Sequence, residues 1–118
     1  MAADQQINIT ANQYASLSVS LTWVSGGAPI NTSVYTGKMQ VRDDGMNDRP
    51  VVAELTTENG CITMGGSNGI VTLTMTGAQT ALIAARAYVY DLLMINGSEV
   101  HRMAEGSFTV SRGVTTLG

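Results

Sequence analysis

Charge is what this chain has least of. Charged residues make up 13% of its 118 positions, against a typical ~25%, and Lys38 is the only lysine. A small domain ordinarily covers its surface with charge. This one must use Ser, Thr, Asn and Gly instead, or bury part of its surface against something else. What charge there is sums to −3, with a pI near 4.8. That balance excludes nucleic acid as a main partner, because such binding needs a basic face. Cys61 stands alone, so no disulfide framework can form. No apolar run approaches the ~18 residues of a membrane-spanning helix, and the opening residues lack the basic-then-apolar plan of a secretion signal. The expectation is therefore a single domain without a membrane partner.

Reactive side chains are equally scarce. His101 is the only histidine. With Asp91 it could supply two members of a Ser-His-Asp arrangement, but no serine sits in a nucleophile-elbow context. His101 lies in Glu99-Val-His-Arg102 and reads as a solvated histidine on an exposed strand. One histidine and one cysteine fall short of a zinc site. The acidic run from Asp43 to Asp48 lacks the closing Glu and the ligand spacing of a calcium loop, and reads as an acidic turn. Gly65–Gly69 has no lysine beside it and opens no helix, so it is no phosphate cradle. No catalytic residue, metal or cofactor is expected, and Cys61 reads as a small core residue.

What the chain does have is alternation. In residues 15–23, Leu17, Val19, Leu21 and Trp23 alternate with Ser16, Ser18, Ser20 and Thr22. A period of two marks a strand with one buried face. Residues 70–76 repeat it, with Val71, Leu73 and Met75 against Thr72, Thr74 and Thr76. These two runs supply the expected core. Residues 35–42 are a similar strand, and 50–56 and 60–64 are shorter ones, with Pro50 placed where a missing N–H costs little. Asn96-Gly97 separates two strand-like runs, 87–95 and 98–110, and predicts a two-residue hairpin. Gly106 suggests a bulge in the second arm. Thr76 with Gln79 three residues on forms a capping-box pattern, which predicts one or two helical turns near residues 77–84 with Leu82 and Ile83 turned inward. Short strands with frequent turns indicate an all-β fold. The expected architecture is a single immunoglobulin-like antiparallel β-sandwich over residues 15–118. Residues 1–14, polar except for Ile7 and Ile9, form an extended arm or edge strand ahead of it.

The strand 87–95 departs from simple alternation. Tyr88, Tyr90, Leu92 and Met94 point one way, while Val89, Leu93 and Ile95 point the other around Asp91. A strand apolar on both faces is covered on both faces, and a two-layer sandwich covers one. The second face meets either a loop or the N-terminal arm, or another subunit, where Tyr and Met are enriched. Ile7, Ile9, Tyr88, Tyr90, Leu92 and Met94 are accordingly the candidate interface residues. Asp91 finds a partner in Arg86 or Arg102.

The order of motifs in the second half has a counterpart. It runs Gly69-Ile-Val-Thr-Leu-Thr-Met-Thr76, Gln79-Thr-Ala-Leu82, Ala87-Tyr-Val-Tyr-Asp-Leu92, Gly97, Gly106-Ser-Phe-Thr-Val110 and Val114-Thr115. This order resembles small β-sandwich virion proteins of tailed bacteriophages, namely tail-fibre collar proteins and the N-terminal domains of baseplate upper proteins. The resemblance spans residues 17–116. It implies a non-enzymatic structural subunit, made in the host bacterial cytoplasm and built into the virion. Such a subunit acts by homo-oligomerisation and by docking onto other virion proteins. A head-decoration protein is the alternative within that class. A carbohydrate-binding module is the alternative outside it, and that function needs exposed aromatic side chains.

Overall fold

A computed structural model of the chain describes residues 5–43 and 50–115. Its strands are β1 (Gln5–Gln6), β2 (Ile9–Asn12), β3 (Leu17–Thr22), β4 (Val24–Ser25), β5 (Ala28–Pro29) and β6 (Thr36–Arg42). They continue with β7 (Val51–Thr56), β8 (Ile62–Met64), β9 (Ile70–Met75), β10 (Ala87–Asn96) and β11 (Glu99–Ser111), with one short helix, α1 (Gly77–Ala81), between β9 and β10. The larger sheet runs β1-β11-β10-β6-β7, with β2 also paired to β11, and the smaller runs β3-β9-β8. Both contribute their inner faces to one core. The hairpins β6–β7, β8–β9 and β10–β11 each stay within one sheet, and the chain crosses between the sheets after β2, β3, β7 and β9, as in a sandwich of the immunoglobulin-like form. Among the described residues no helix is long and apolar enough to cross a membrane.

The alternating runs bury the side chains their period assigns. Leu17, Leu21 and Trp23 are buried, Val19 is half-buried, and Val71, Leu73 and Met75 are buried beside them across the β3–β9 ladder. Burying a side chain of this size contributes roughly 1.5–3 kcal/mol. The capping box at α1 forms in full. The Thr76 hydroxyl accepts from the Gln79 N–H at 3.2 Å, and the Gln79 side-chain oxygen accepts from the Thr76 N–H at 2.7 Å. Only Ile83 then turns inward; Leu82 is 87% exposed. The helix ends at Ala81, so Leu82 is carried past the side that faces the core. Thr80 is buried in its stead, donating to the Ala15 carbonyl at 2.9 Å.

The remaining differences from expectation come from pairing. The N-terminal strands β1 and β2 run parallel to β11, so the larger sheet is mixed rather than wholly antiparallel. Residues 5–12 are edge strands of the sandwich itself. The hairpin turns where expected, but Asn96 pairs with Glu99, so Gly97 and Ser98 occupy the loop. Positive φ falls on Gly97 alone, at +61°, as in a type II′ turn. The bulge lies at Met103, skipped where the register moves from Leu92–Ala104 to Leu93–Arg102. Gly106 is in register opposite Tyr90. It is glycine for another reason: any Cβ there would strike the Ile7 carbonyl of the strand laid alongside.

Candidate interaction surfaces

The start of β10 carries a phenol bridge. Tyr88 donates its hydroxyl to the Ala84 carbonyl at 2.7 Å, four residues upstream, in the manner of the tyrosine corner of immunoglobulin-like domains. Burial pushes the Tyr88 phenol up; the nearby Arg86 lowers it and Asp43 raises it. Arg86 reaches Asp43 at 3.2 Å and lies 5.8 Å from the Tyr88 ring centroid. Tyr90 donates to the Ile7 carbonyl at 2.6 Å, pinning the N-terminal segment across the end of the core. Its phenol is pushed up to about 12, by burial first and by the Glu105 carboxylate second.

These bonds place the candidate interface residues inside the chain's own core. Tyr88, Tyr90, Leu92, Met94 and Ile9 are all buried, and Ile7 packs half-buried against them. The four from β10 are turned into the core because β10 is a central strand whose inner face lies opposite the smaller sheet, and of the six only Ile7 keeps part of its surface exposed. The half-exposed side chains are those of the other face: Val89, Asp91, Leu93 and Ile95.

That outer face is broad and charged. An open depression of about 900 Å³ lies over it, bordered by Gln40 and Arg42 of β6, Asp91 and Leu93 of β10, and Arg102 and Glu105 of β11. Its charges are paired, across strands or along one. Arg102 meets Asp91 at 3.3 Å and Glu105 at 3.6 Å. Glu54 accepts from Gln40 at 2.7 Å and lies 4.0 Å from Lys38. Of the two arginines expected near Asp91, Arg102 is the one in contact.

The outer face of the smaller sheet is its opposite in chemistry. Ser18, Ser20 and Thr22 of β3 stand opposite Thr74, Thr72 and Ile70 of β9, and Thr63 of β8 stands opposite Thr72. No charged side chain is among them. The Ser20 and Thr72 hydroxyls meet at 3.3 Å. This surface was legible in the sequence only as the polar half of each alternation; that the three strands would be neighbours was not.

The residues with reactive potential are otherwise occupied. His101 is half-exposed, but packs edge-on against Trp23 at 5.5 Å and Tyr35 at 6.1 Å, with Glu99 at 2.8 Å from its Nε2. It is part of an aromatic cluster rather than a freely solvated side chain. Cys61 is buried, with the Gln79 amide 3.7 Å from its sulfur. Among the described residues no three His, Cys, Asp or Glu converge to hold a metal ion. The acidic run beyond Asp43 lies outside the described residues.

No family model and no curated protein matches the chain. Solved structures share its fold. The N-terminal domain of phage TP901-1 ORF48 superposes with a TM-score of 0.54 over 88% of this chain and 84% of that one, at 11% identity. The endo-beta-1,4-mannanase from Thermotoga petrophila superposes with a TM-score of 0.51 at 10% identity, over 95% of this chain but only 18% of that one.

Proposed function

We propose that the chain is a non-enzymatic structural subunit of a bacteriophage particle, of the tail collar or baseplate type. The observation that supports it is the end-to-end likeness to a phage domain, which pairs 88% of this chain with 84% of that one. The mannanase likeness involves a small part of a much larger chain and says nothing of what that part does. In this reading the protein is made in the host cytoplasm and built into the virion. It acts by self-association and by docking to other virion proteins, without nucleic acid, membrane or cofactor. The low charge is consistent with a surface destined for partial burial.

A carbohydrate-binding module needs aromatic side chains on a free surface. Trp23, Tyr88, Tyr90 and Phe108 are buried, and Tyr14 and Tyr35 are half-buried, so that reading has no platform here. Two measurements test the proposal. Native mass spectrometry should give a closed oligomer, and antibodies to the chain should label purified particles at the tail. Labelling of the capsid instead would make it a head-decoration protein. A monomer absent from particles would end the virion reading.

A further inference from the structure

We propose that the free edge of β3 is where two copies of this chain join, strand to strand and antiparallel, about a two-fold axis at Val19. The proposal rests on the self-association reading above and names the surface that would carry it.

The edge exists because of how the N-terminal segment pairs. β1 and β2 both join β11 in the larger sheet, which leaves β3 paired on one side only, to β9. Which backbone groups face outward follows from the ladder. Trp23 donates its N–H to Gly69, the residue before β9, at 2.8 Å; with that phase carried along the ladder, Leu21, Val19 and Leu17 direct their groups to β9. In an antiparallel ladder the intervening residues point away. Ser18, Ser20 and Thr22 therefore present N–H and C=O groups outward, and the Thr22 carbonyl duly accepts from the Gln5 amide, a side chain of another element, at 2.6 Å. Ser18 and Ser20 are exposed, and no strand pairs with their outward groups among the described residues.

Natural sheet edges are guarded by charge, proline, bulges or brevity. The other described edges follow that rule. β7 is preceded by Pro50, carries Glu54, and has a bulge where the register shifts between Val41 and Arg42. β8 has three residues. β3 has six, with no charge, no proline and an unbroken register.

The sequence of the edge specifies a second copy as its occupant. Ser16-Leu-Ser-Val-Ser-Leu-Thr22 reads nearly the same in both directions about Val19. An antiparallel pair centred there sets Leu17 opposite Leu21 and Ser18 opposite Ser20 of the second copy. Ser18 and Ser20 are the residues with outward groups, so each such pair exchanges both main-chain hydrogen bonds. The axis stands perpendicular to the sheet, so all inner faces remain on the core side and all hydroxyl faces on the other. The contact is isologous, as a two-fold requires.

The test uses the full chain. Ser20→Pro removes one outward N–H and leaves the internal ladder intact, since proline is tolerated where the lost donor faces solvent. Ser20→Lys adds the charge the edge lacks. Sedimentation should show each variant self-associating roughly tenfold more weakly, or worse, than the parent chain. Hydrogen exchange reads the contact without any substitution: the Ser18 and Ser20 amides should be protected at high concentration and exchange freely on dilution. If the parent chain associates but both variants associate equally well, and these amides exchange alike at all concentrations, the edge is not the contact, while self-association stands. If the parent chain is a monomer at its highest soluble concentration, self-association falls with it. If these amides become protected only when another virion protein is added, the second copy is the wrong occupant.

Discussion

The two outer faces of this sandwich solve the same problem in opposite ways. The larger sheet presents charges that are paired, Arg102 with Asp91 on the next strand and with Glu105 along its own, and Lys38 with Glu54 across strands. The smaller presents Ser18, Ser20, Thr22, Thr63, Thr72 and Thr74, without a charge. Charge keeps a face hydrated and resists edge pairing. A neutral hydroxyl face satisfies its polar groups as readily with a neighbour as with water. The scarcity of charge in the whole chain is thus unevenly spread, and the side left bare is the side with the open edge.

The comparison assumes that both sheets rest on one shared core, and the strongest perturbation tests that. Leu73 of the smaller sheet and Leu92 of the larger are both fully buried. Leu73→Ala and Leu92→Ala should each cost about 2–5 kcal/mol in a single cooperative denaturation. A two-step unfolding curve for either would mean that the sheets are separable and that the two faces belong to separate folding units.

Next in size is the pin that holds the N-terminal strands to the larger sheet and so leaves β3 bare. Tyr90→Phe removes the donor to the Ile7 carbonyl. It should cost about 1–3 kcal/mol for the acceptor left unpaired, with faster amide exchange in residues 5–12. The parent chain should also be alkali-sensitive. Because folding raises the Tyr90 phenol from 10.0 to about 12, folding favours its protonated form. That contribution is complete below pH 10 and is lost as pH rises from about 10 through about 12. The denaturation midpoint should fall across that window and fall less in Tyr90→Phe. Tyr88, whose phenol burial also pushes up, contributes in the same sense.

The faces themselves should respond weakly and differently. Arg102→Ala should cost about 0–1 kcal/mol, as half-exposed ion pairs do, and added salt should narrow its gap from the parent chain. Ser18→Ala should fall within about 0.5 kcal/mol and show no dependence on salt. It should leave self-association unchanged, because the contact assigned to β3 is made by its main chain. A strong effect of Ser18→Ala on association would transfer that role to the hydroxyl face.

Much of the fold was legible because its signals are local. Alternation in 17–23 and 70–76, the Thr76–Gln79 box and the turn after Asn96 each depend on neighbours a few residues away. The site was less legible. In β10, Tyr88, Tyr90, Leu92 and Met94 compete with Val89, Leu93 and Ile95 for the core, and nothing in the strand itself breaks the tie. The larger side chains won, with Tyr88 and Tyr90 able to bury their rings because Ala84 and Ile7 supply acceptors for their hydroxyls. Those acceptors are set by packing. His101 likewise read as a surface residue until Trp23 and Tyr35, from distant parts of the chain, came to rest against it.

The sequence by itself determined that this is an all-β domain, where its longer strands run, and that one capped helical turn sits among them. Periodicity, caps and turns act over a few residues, and composition needs no fold to be read. Only the tertiary structure decided which strands are neighbours. It set β1 and β2 on β11 rather than on β3, put the extra residue at Met103, and chose the face of β10 that is core. Strand pairing joins residues far apart in the chain through main-chain bonds common to every residue type. The choice among partners therefore lies in how the whole core packs, and with it the choice of which edge is left open.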